Sequence, residues 1–191
     1  MKFKIWASVA LSLAAFVSCS VHAQSAAKLD PGQSEIVFVS RQMGVSVEGK
    51  FRKFDAQITL DPKKPEAGSV VLTIDTGSAT LGLPETDAEL VKPNWFDTAK
   101  APQASFRSNA IKNLGAGKYE VSGTLSIKGN AQKLIVPVSV AQAGGTSTAS
   151  GSFTIKRLDY KIGEGEWADT SLVANEVQVR FKLALTGIPP P

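Results

Sequence analysis

Hydrophobic and polar residues alternate along most of this chain. In residues 44–51, 54–61, 119–128 and 177–186, almost every second position is apolar or glycine, and most of the positions between are polar. Successive side chains of a β-strand point to opposite faces, so a period of two is typical of antiparallel strands with one buried and one hydrated face. The pattern therefore predicts an all-β fold.

Five further segments, each bounded by Gly, Pro, Asn or Asp, also predict strands: residues 34–41, 69–75, 103–111, 134–140 and 151–158. Nine strands at near-regular spacing favour a barrel or a sandwich. The inward positions Phe51 and Phe54 are three residues apart, which breaks the period of two. We expect a bulge or a sharp bend at Arg52 and Lys53 to restore it.

One segment predicts a helix instead. Thr86 is followed three residues later by Glu89, the spacing of a capping box, and Pro93 stops the helix that would follow. We expect a short helical insertion near residues 85–97, covering one end of a barrel. The proline-rich tail 188–191 is expected to be unordered.

The N-terminus predicts a cleaved signal peptide over residues 1–23, which leaves a single domain at 24–191. Lys2 and Lys4 precede an apolar run of about 13 residues, and Val21-His22-Ala23 has the small-x-small form of a cleavage site. A membrane anchor is one alternative, although a spanning helix needs roughly 20 residues. A lipoprotein attached through Cys19 is the other, but the usual leucine is missing before that cysteine. We expect export to the periplasm.

Cleavage would remove Cys19 and His22, the only thiol and the only imidazole of the chain. Catalytic triads with histidine, the usual zinc sites and disulfides would then be excluded, and we expect neither a metal site nor a cofactor. Loss of Lys2 and Lys4 would lower the net charge from +4 to about +2. The remaining Lys and Arg form no basic stripe of the kind that binds nucleic acid, and no second apolar stretch approaches membrane length.

Carboxylates are the remaining candidates for chemistry. Asp159, Glu164, Glu166 and Asp169 lie within eleven residues, so a general acid–base pair or a calcium site is conceivable. A polar turn before the last strand explains the same residues without any function.

The aromatic residues fall mainly on inward faces or in the helical insertion. A sandwich would use them as core, whereas a wide barrel would line an apolar lumen with them, and inward Gly49, Ala56 and Gly123 would leave room beside them. Strands of about eight residues enclose a lumen of roughly 25 Å, long enough for an extended hydrocarbon chain. Each buried CH₂ group would contribute about 0.8 kcal/mol to binding.

Several segments together resemble the YceI-like, or polyisoprenoid-binding, proteins over about residues 28–185. The matching segments, in order, are Leu29-Asp30 with residues 34–38, residues 43–51, Trp95-Phe96-Asp97 with Pro102, Phe106 and Ser108, residues 119–129, residues 153–157 and residues 162–167. The resemblance implies an extended lipocalin-like antiparallel β-barrel that holds a long isoprenoid or fatty amphiphile, without established catalytic residues. Many members carry a histidine just before the glycine at position 44, where this chain has Met43 after Arg41 and Gln42.

The predicted site follows from these observations. The expected lumen contacts are Phe38, Val45, Val47, Phe51, Trp95, Phe96, Phe106 and Trp167. The expected polar contacts at the mouth are Arg41, Gln42 and Asn94. The expected partner is a long-chain isoprenoid or similar lipid, such as a quinone tail or a polyprenyl lipid, and an exposed strand edge would allow a homodimer.

Two other functions remain open. One is a ligand-free β-sandwich or barrel that acts in adhesion or stress protection. The other is an enzyme on a lipocalin-like barrel, with carboxylates, Tyr119, Tyr160 or a lysine as acid or base. A carboxylate pair facing the lumen would favour the enzyme, and a continuous apolar tunnel would exclude the filled sandwich.

Overall fold

The computed structural model describes residues 26–190. The predicted signal peptide, with Cys19 and His22, lies outside the described residues. Among the described residues, none of the helices combines the length and the apolar character that crossing a bilayer requires.

Within residues 26–190 the chain forms ten strands and one short α-helix, in addition to single 3₁₀ turns. The strands are β1 (Lys28–Gln42), β2 (Val45–Phe51), β3 (Phe54–Thr59), β4 (Ser69–Asp75), β5 (Ala79–Thr80), β6 (Gln103–Gly115), β7 (Lys118–Ile127), β8 (Asn130–Ala143), β9 (Thr146–Lys156) and β10 (Glu176–Thr186). Helix α1 (Pro84–Leu90) lies between β5 and β6. The nine predicted strands are all present, and the two-residue β5 is the addition.

The strands form one antiparallel sheet in the order β3-β4-β6-β7-β8-β9-β10-β1-β2-β5. The sheet curls until the start of β1 meets β3, where the Ala27 amide donates a hydrogen bond of 2.7 Å to the Ile58 carbonyl. This confirms the predicted lipocalin-like antiparallel barrel with a short helical insertion.

Strand β7 shows how the alternating sequence produces the inner face. Tyr119, Val121, Leu125 and Ile127 are buried, whereas the polar residues between them are half-exposed. A shift of one residue against β6 or β8 would turn these four side chains toward solvent, so their burial fixes the register.

The bend expected between Phe51 and Phe54 is confirmed. Strand β2 ends at Phe51 and β3 begins at Phe54, and the two strands are not paired with each other. The chain turns a corner here: β2 pairs with β1 and β5, while β3 pairs with β4 on the other edge of the sheet.

The capping box predicted at Thr86 is wrong. Helix α1 begins two residues earlier with Pro84 in its first turn, and the Thr86 hydroxyl donates to the Leu83 carbonyl at 2.9 Å. Proline is well suited to this place because its fixed φ is helical and the first helical amide has no partner within the helix. The helix ends at Leu90, ahead of Pro93, and turns continue to Asp97.

Residues 188–190 of the C-terminal tail are held more closely than expected. Ile188 is buried, and the carbonyls of Ile188 and Pro189 each accept a hydrogen bond of 3.1 Å from the Gln142 side chain. This contact joins β8 to residues 188 and 189 at one end of the barrel, where Ile188 lines the interior.

Candidate functional site

A cavity of about 320 Å³ runs through the interior of the barrel. Every strand except β5 contributes inward-facing residues to its wall, and α1 with the turns after it adds Leu90, Trp95 and Phe96. The volume is at the lower end of the range that small-molecule binding cavities occupy.

The two ends of the cavity differ in polarity and exposure. At one end the wall includes Ser40, Gln42, Thr86 and Glu89, and of these Glu89 is exposed. We call this the open end. It also receives Trp95 and Trp167, which are half-buried.

At the opposite end the wall is buried. Leu60, Ile111, Tyr119 and Ile188 are each at most 9% exposed, and the Ile188 carbonyl accepts a hydrogen bond from Gln142. We call this the closed end. Of these four side chains, only that of Tyr119 carries a polar atom.

Aromatic pairs organise the open half of the cavity. The rings of Phe38 and Phe51 are 5.3 Å apart, and Phe51 meets Phe96 edge to face at 5.8 Å. The ring centroids of Trp95 and Trp167 are 5.7 Å apart with the rings tilted by 45°, so the turn after α1 contacts the 3₁₀ turn Gly165–Ala168. Aromatic pairs in such geometries contribute beyond the area they bury.

Gly49 has a different role from the one expected. A Cβ atom at this position would lie 2.3 Å from Cζ of Phe38 and 2.8 Å from Cδ2 of Leu81. The space beside the glycine is therefore filled by the phenylalanine ring and is not left free for a ligand.

The structure places six of the eight predicted lumen residues in the cavity wall: Phe38, Phe51, Trp95, Phe96, Phe106 and Trp167. Val45 and Val47 differ from the prediction, because neither belongs to the wall. They lie on the β1–β2 hairpin, which extends past the open end, and Val45 is 66% exposed. The alternation of residues correctly gives the face of the strand to which these two side chains point. It does not give how far the cavity extends along that strand.

Among the predicted mouth residues, only Gln42 belongs to the cavity wall. Ser40 and Gln42 both line the cavity, so Arg41 between them points to the other face of β1 and is exposed. Asn94 is exposed, and its main-chain carbonyl accepts hydrogen bonds from the amides of Gly163 and Glu164 at 2.7 and 2.9 Å. Asn94 therefore joins two turns at the open end.

Arg157 is 2% exposed and lines the cavity, although it is not among the residues predicted for the site. All five of its N–H groups donate to main-chain carbonyls, those of Ile162 and Gly163 (2.9 Å each), Trp167 (2.6 Å), Val173 (2.7 Å) and Ala174 (3.1 Å). Burial lowers the pKa of the guanidinium. One side chain thus holds the loop 162–174 over the cavity. The sequence did contain an indication of this position. Phe153, Ile155 and Arg157 are two residues apart, so an extended chain points all three side chains to the same face.

Lys128, like Arg157, connects several segments at the open end through hydrogen bonds. Its ammonium donates to the carbonyl of Lys161 at 2.8 Å and to the Glu164 carboxylate at 2.9 Å, and its side chain is only 10% exposed. It also donates to the carbonyl of Pro93, in the turn after α1. The β7–β8 turn is thereby bonded to the turn after α1 and to the loop that contains Lys161 and Glu164.

Two of the four carboxylates considered for catalysis or calcium, Glu164 and Asp169, are held by structural contacts. The hydrogen bond from Lys128 lowers the pKa of Glu164, and bonds from the hydroxyl and amide of Ser171 lower that of Asp169. In residues 26–190 no three side chains of His, Cys, Asp or Glu are grouped so that they could hold a metal ion. Burial and the charge of Asp159 raise the pKa of Tyr160 to about 12, and Tyr160 lies outside the cavity wall.

Among the solved structures that resemble this fold, two cover more than four fifths of the chain. Burkholderia cenocepacia BcnA is 46% identical, with a TM-score of 0.80 over 82% of this chain and 99% of that chain. A polyisoprenoid binding domain from Saccharophagus degradans has a TM-score of 0.70 over 87% of this chain and 100% of that one, at 21% identity. The second likeness shows a shared fold only.

Sequence comparison gives the same grouping. A UPF0312 protein of Vibrio cholerae serotype O1 is 29% identical over 183 residues, which cover 89% of this chain and 97% of the relative. The sequence profile described as the YceI-like domain matches residues 28–185, from the first residue of β1 almost to the end of β10. The chain therefore belongs to the YceI-like family.

Proposed function

We propose that this protein is a periplasmic binding protein that holds a long-chain isoprenoid, or a similar amphiphilic lipid, in the cavity of its barrel. Transport, storage or sequestration of that lipid would be its task. The observation that carries the proposal is a cavity of about 320 Å³ whose wall is almost wholly hydrocarbon and aromatic.

The wall suits a hydrocarbon chain for a simple reason. Each CH₂ group that leaves water contributes about 0.8 kcal/mol, so a chain of several isoprene units binds tightly through dispersion and desolvation alone. The solved polyisoprenoid binding domain with the same fold supports an isoprenoid as the first ligand to test.

The alternatives receive less support. A filled sandwich would pack its aromatic side chains against one another and leave no continuous cavity, and here a cavity runs between the open and closed ends. The enzyme would gain support from a pair of carboxylates in the wall, but among the described residues the wall contains one carboxylate, Glu89, which is paired with Lys92.

Native mass spectrometry of protein purified from the periplasm of its own source, followed by lipid extraction, tests the proposal. We expect a constant mass adduct that the extract identifies as an isoprenoid or related amphiphile. An adduct-free mass, together with no uptake of added polyprenyl lipid or quinone, would contradict it.

Two further parts of the proposal need separate tests. N-terminal sequencing of the exported protein should begin at Gln24 if residues 1–23 are a signal peptide, whereas a lipid-modified Cys19 would contradict this. A homodimer remains a prediction, which sedimentation with and without lipid would check.

A further inference from the structure

Tyr119 is a polar group in an apolar part of the cavity wall. It is the first inward-facing residue of β7, it lines the closed end, and it is 5% exposed. Burial raises the pKa of its phenol, so the hydroxyl is protonated at neutral pH and can donate one hydrogen bond.

The cavity wall at the closed end is mainly hydrocarbon. Val138 faces it across the β7–β8 pair, and Leu60, Ile111 and Ile188 complete the closed end. Arg157 is a buried cation in the described part of the wall; it donates all five N–H groups to main-chain carbonyls and lies toward the open end, beside Trp167. An ionised group at the closed end would lose its hydration without gaining a counter-charge, which is strongly unfavourable.

A neutral oxygen at this place would have the opposite effect. It would accept the phenol proton, or donate to the phenol oxygen if it is itself a hydroxyl, and a buried polar group would gain its partner. A ligand whose hydrocarbon end reached Tyr119 would leave the phenol without a partner. The lining thus favours one orientation of an amphiphile as well as one class of polar group.

We propose that the Tyr119 hydroxyl is the hydrogen-bonding contact for the polar end of the ligand, which enters head first and carries an uncharged hydroxyl or carbonyl oxygen. This inference rests on the proposed lipid-binding function. The prenyl tail then extends past Phe106 and Phe153 toward Trp95 and Trp167 at the open end. A neutral prenyl alcohol or quinone fits this description, and a prenyl phosphate does not.

The experiment compares three C20 ligands: geranylgeraniol, its monophosphate and the corresponding hydrocarbon without the hydroxyl. Each displaces a hydrophobic fluorescent dye from the wild-type protein and from Tyr119→Phe, a change that removes only the oxygen. We expect the variant to lose about two- to twelvefold in affinity for the alcohol, the usual range for one net hydrogen bond. Its affinity for the hydrocarbon should stay unchanged, and the monophosphate should bind the wild type more weakly than the alcohol does.

Tyr160→Phe is the matched control, because Tyr160 is also buried (1% exposed) but lies outside the wall. It should bind all three ligands as the wild type does. The inference is overturned if Tyr119→Phe leaves the affinity for the alcohol unchanged, or lowers the affinity for the hydrocarbon by the same factor. It is also overturned if the monophosphate binds the wild type as tightly as the alcohol does. Failure of the wild type to bind any of the three would instead overturn the lipid-binding function itself.

Discussion

The ring of Phe106 lies directly against the main chain of Gly123. A Cβ atom at position 123 would be 2.4 Å from Cζ of Phe106 and 2.5 Å from the main-chain oxygen of Arg107. The second contact is with backbone, which cannot rotate away. Glycine is thus needed at this position for its lack of a side chain, since the aromatic ring takes the place that a Cβ would fill.

We expect Gly123→Ala to lower the free energy of unfolding by about 1–3 kcal/mol, the usual cost of overpacking a well-filled core. Urea denaturation followed by circular dichroism measures it. Gly32→Ala is the control, because its Cβ would meet only an Asp30 carboxylate oxygen at an ordinary 3.4 Å. Equal stability of the two variants would show that the Phe106 ring and the β6 backbone move aside at little cost.

Arg157→Lys should destabilise the protein by at least about 2 kcal/mol. An ammonium has three donors, so at least two of the five carbonyls now bonded to the guanidinium would remain buried without a partner, at about 1–3 kcal/mol each. Arg180→Lys is the matched control, since Arg180 forms an exposed ion pair with Glu48 that contributes at most about 1 kcal/mol.

The same variant, Arg157→Lys, should also make the loop 162–174 over the cavity less rigid. We expect hydrogen exchange at the amides of residues 162–174 to become faster in Arg157→Lys and to stay unchanged in Arg180→Lys. Uniformly faster exchange over the whole barrel would contradict a local role for Arg157.

The Lys128–Glu164 contact predicts a pH dependence. Lys128 holds the pKa of Glu164 below its ordinary value of 4.5, so the ionised carboxylate favours the folded state. The contribution is complete above the ordinary pKa and is lost as the pH falls through the lowered one. Glu164→Gln should therefore be less stable than the wild type at pH 7, and the difference should vanish in acid.

Urea unfolding of both proteins at pH 7 and pH 3, at the same ionic strength, checks this prediction. The effect should be modest, because the Glu164 side chain is 45% exposed and solvent screens the pair. A difference of the same size at both pH values would mean that the glutamine change acts through something other than the charge of Glu164.

Filling the cavity should prevent lipid binding without unfolding the barrel. Val179 lies on the inner face of β10 and lines the cavity, so the larger side chain in Val179→Trp would occupy the ligand's volume. We expect lipid uptake in native mass spectrometry to fall at least tenfold. Gln178→Trp, with the same new side chain on the exposed face of that strand, should bind as the wild type does. Equal uptake by both variants would contradict binding inside the barrel.

Much of this molecule follows from the alternation of apolar and polar residues. Burial of one face is a local property of a strand, so the strands, the corner at Phe51 and Phe54, and the inward position of Phe106 were all predictable. The same alternation explains why Arg41 points away from the cavity while Gln42 lines it.

Other features depend on contacts between residues distant in sequence, and these were not predictable. Val45 has the right parity but lies past the end of the cavity, and Gly49 is covered by the ring of Phe38 from the neighbouring strand. The five carbonyls around Arg157 come from a loop that has no periodic pattern. The sequence by itself determined the sheet and its inner face, because strand geometry is local. Only the tertiary structure decided where the cavity ends and that Tyr119 lies at its closed end, because both depend on how distant strands and the C-terminal residues pack together.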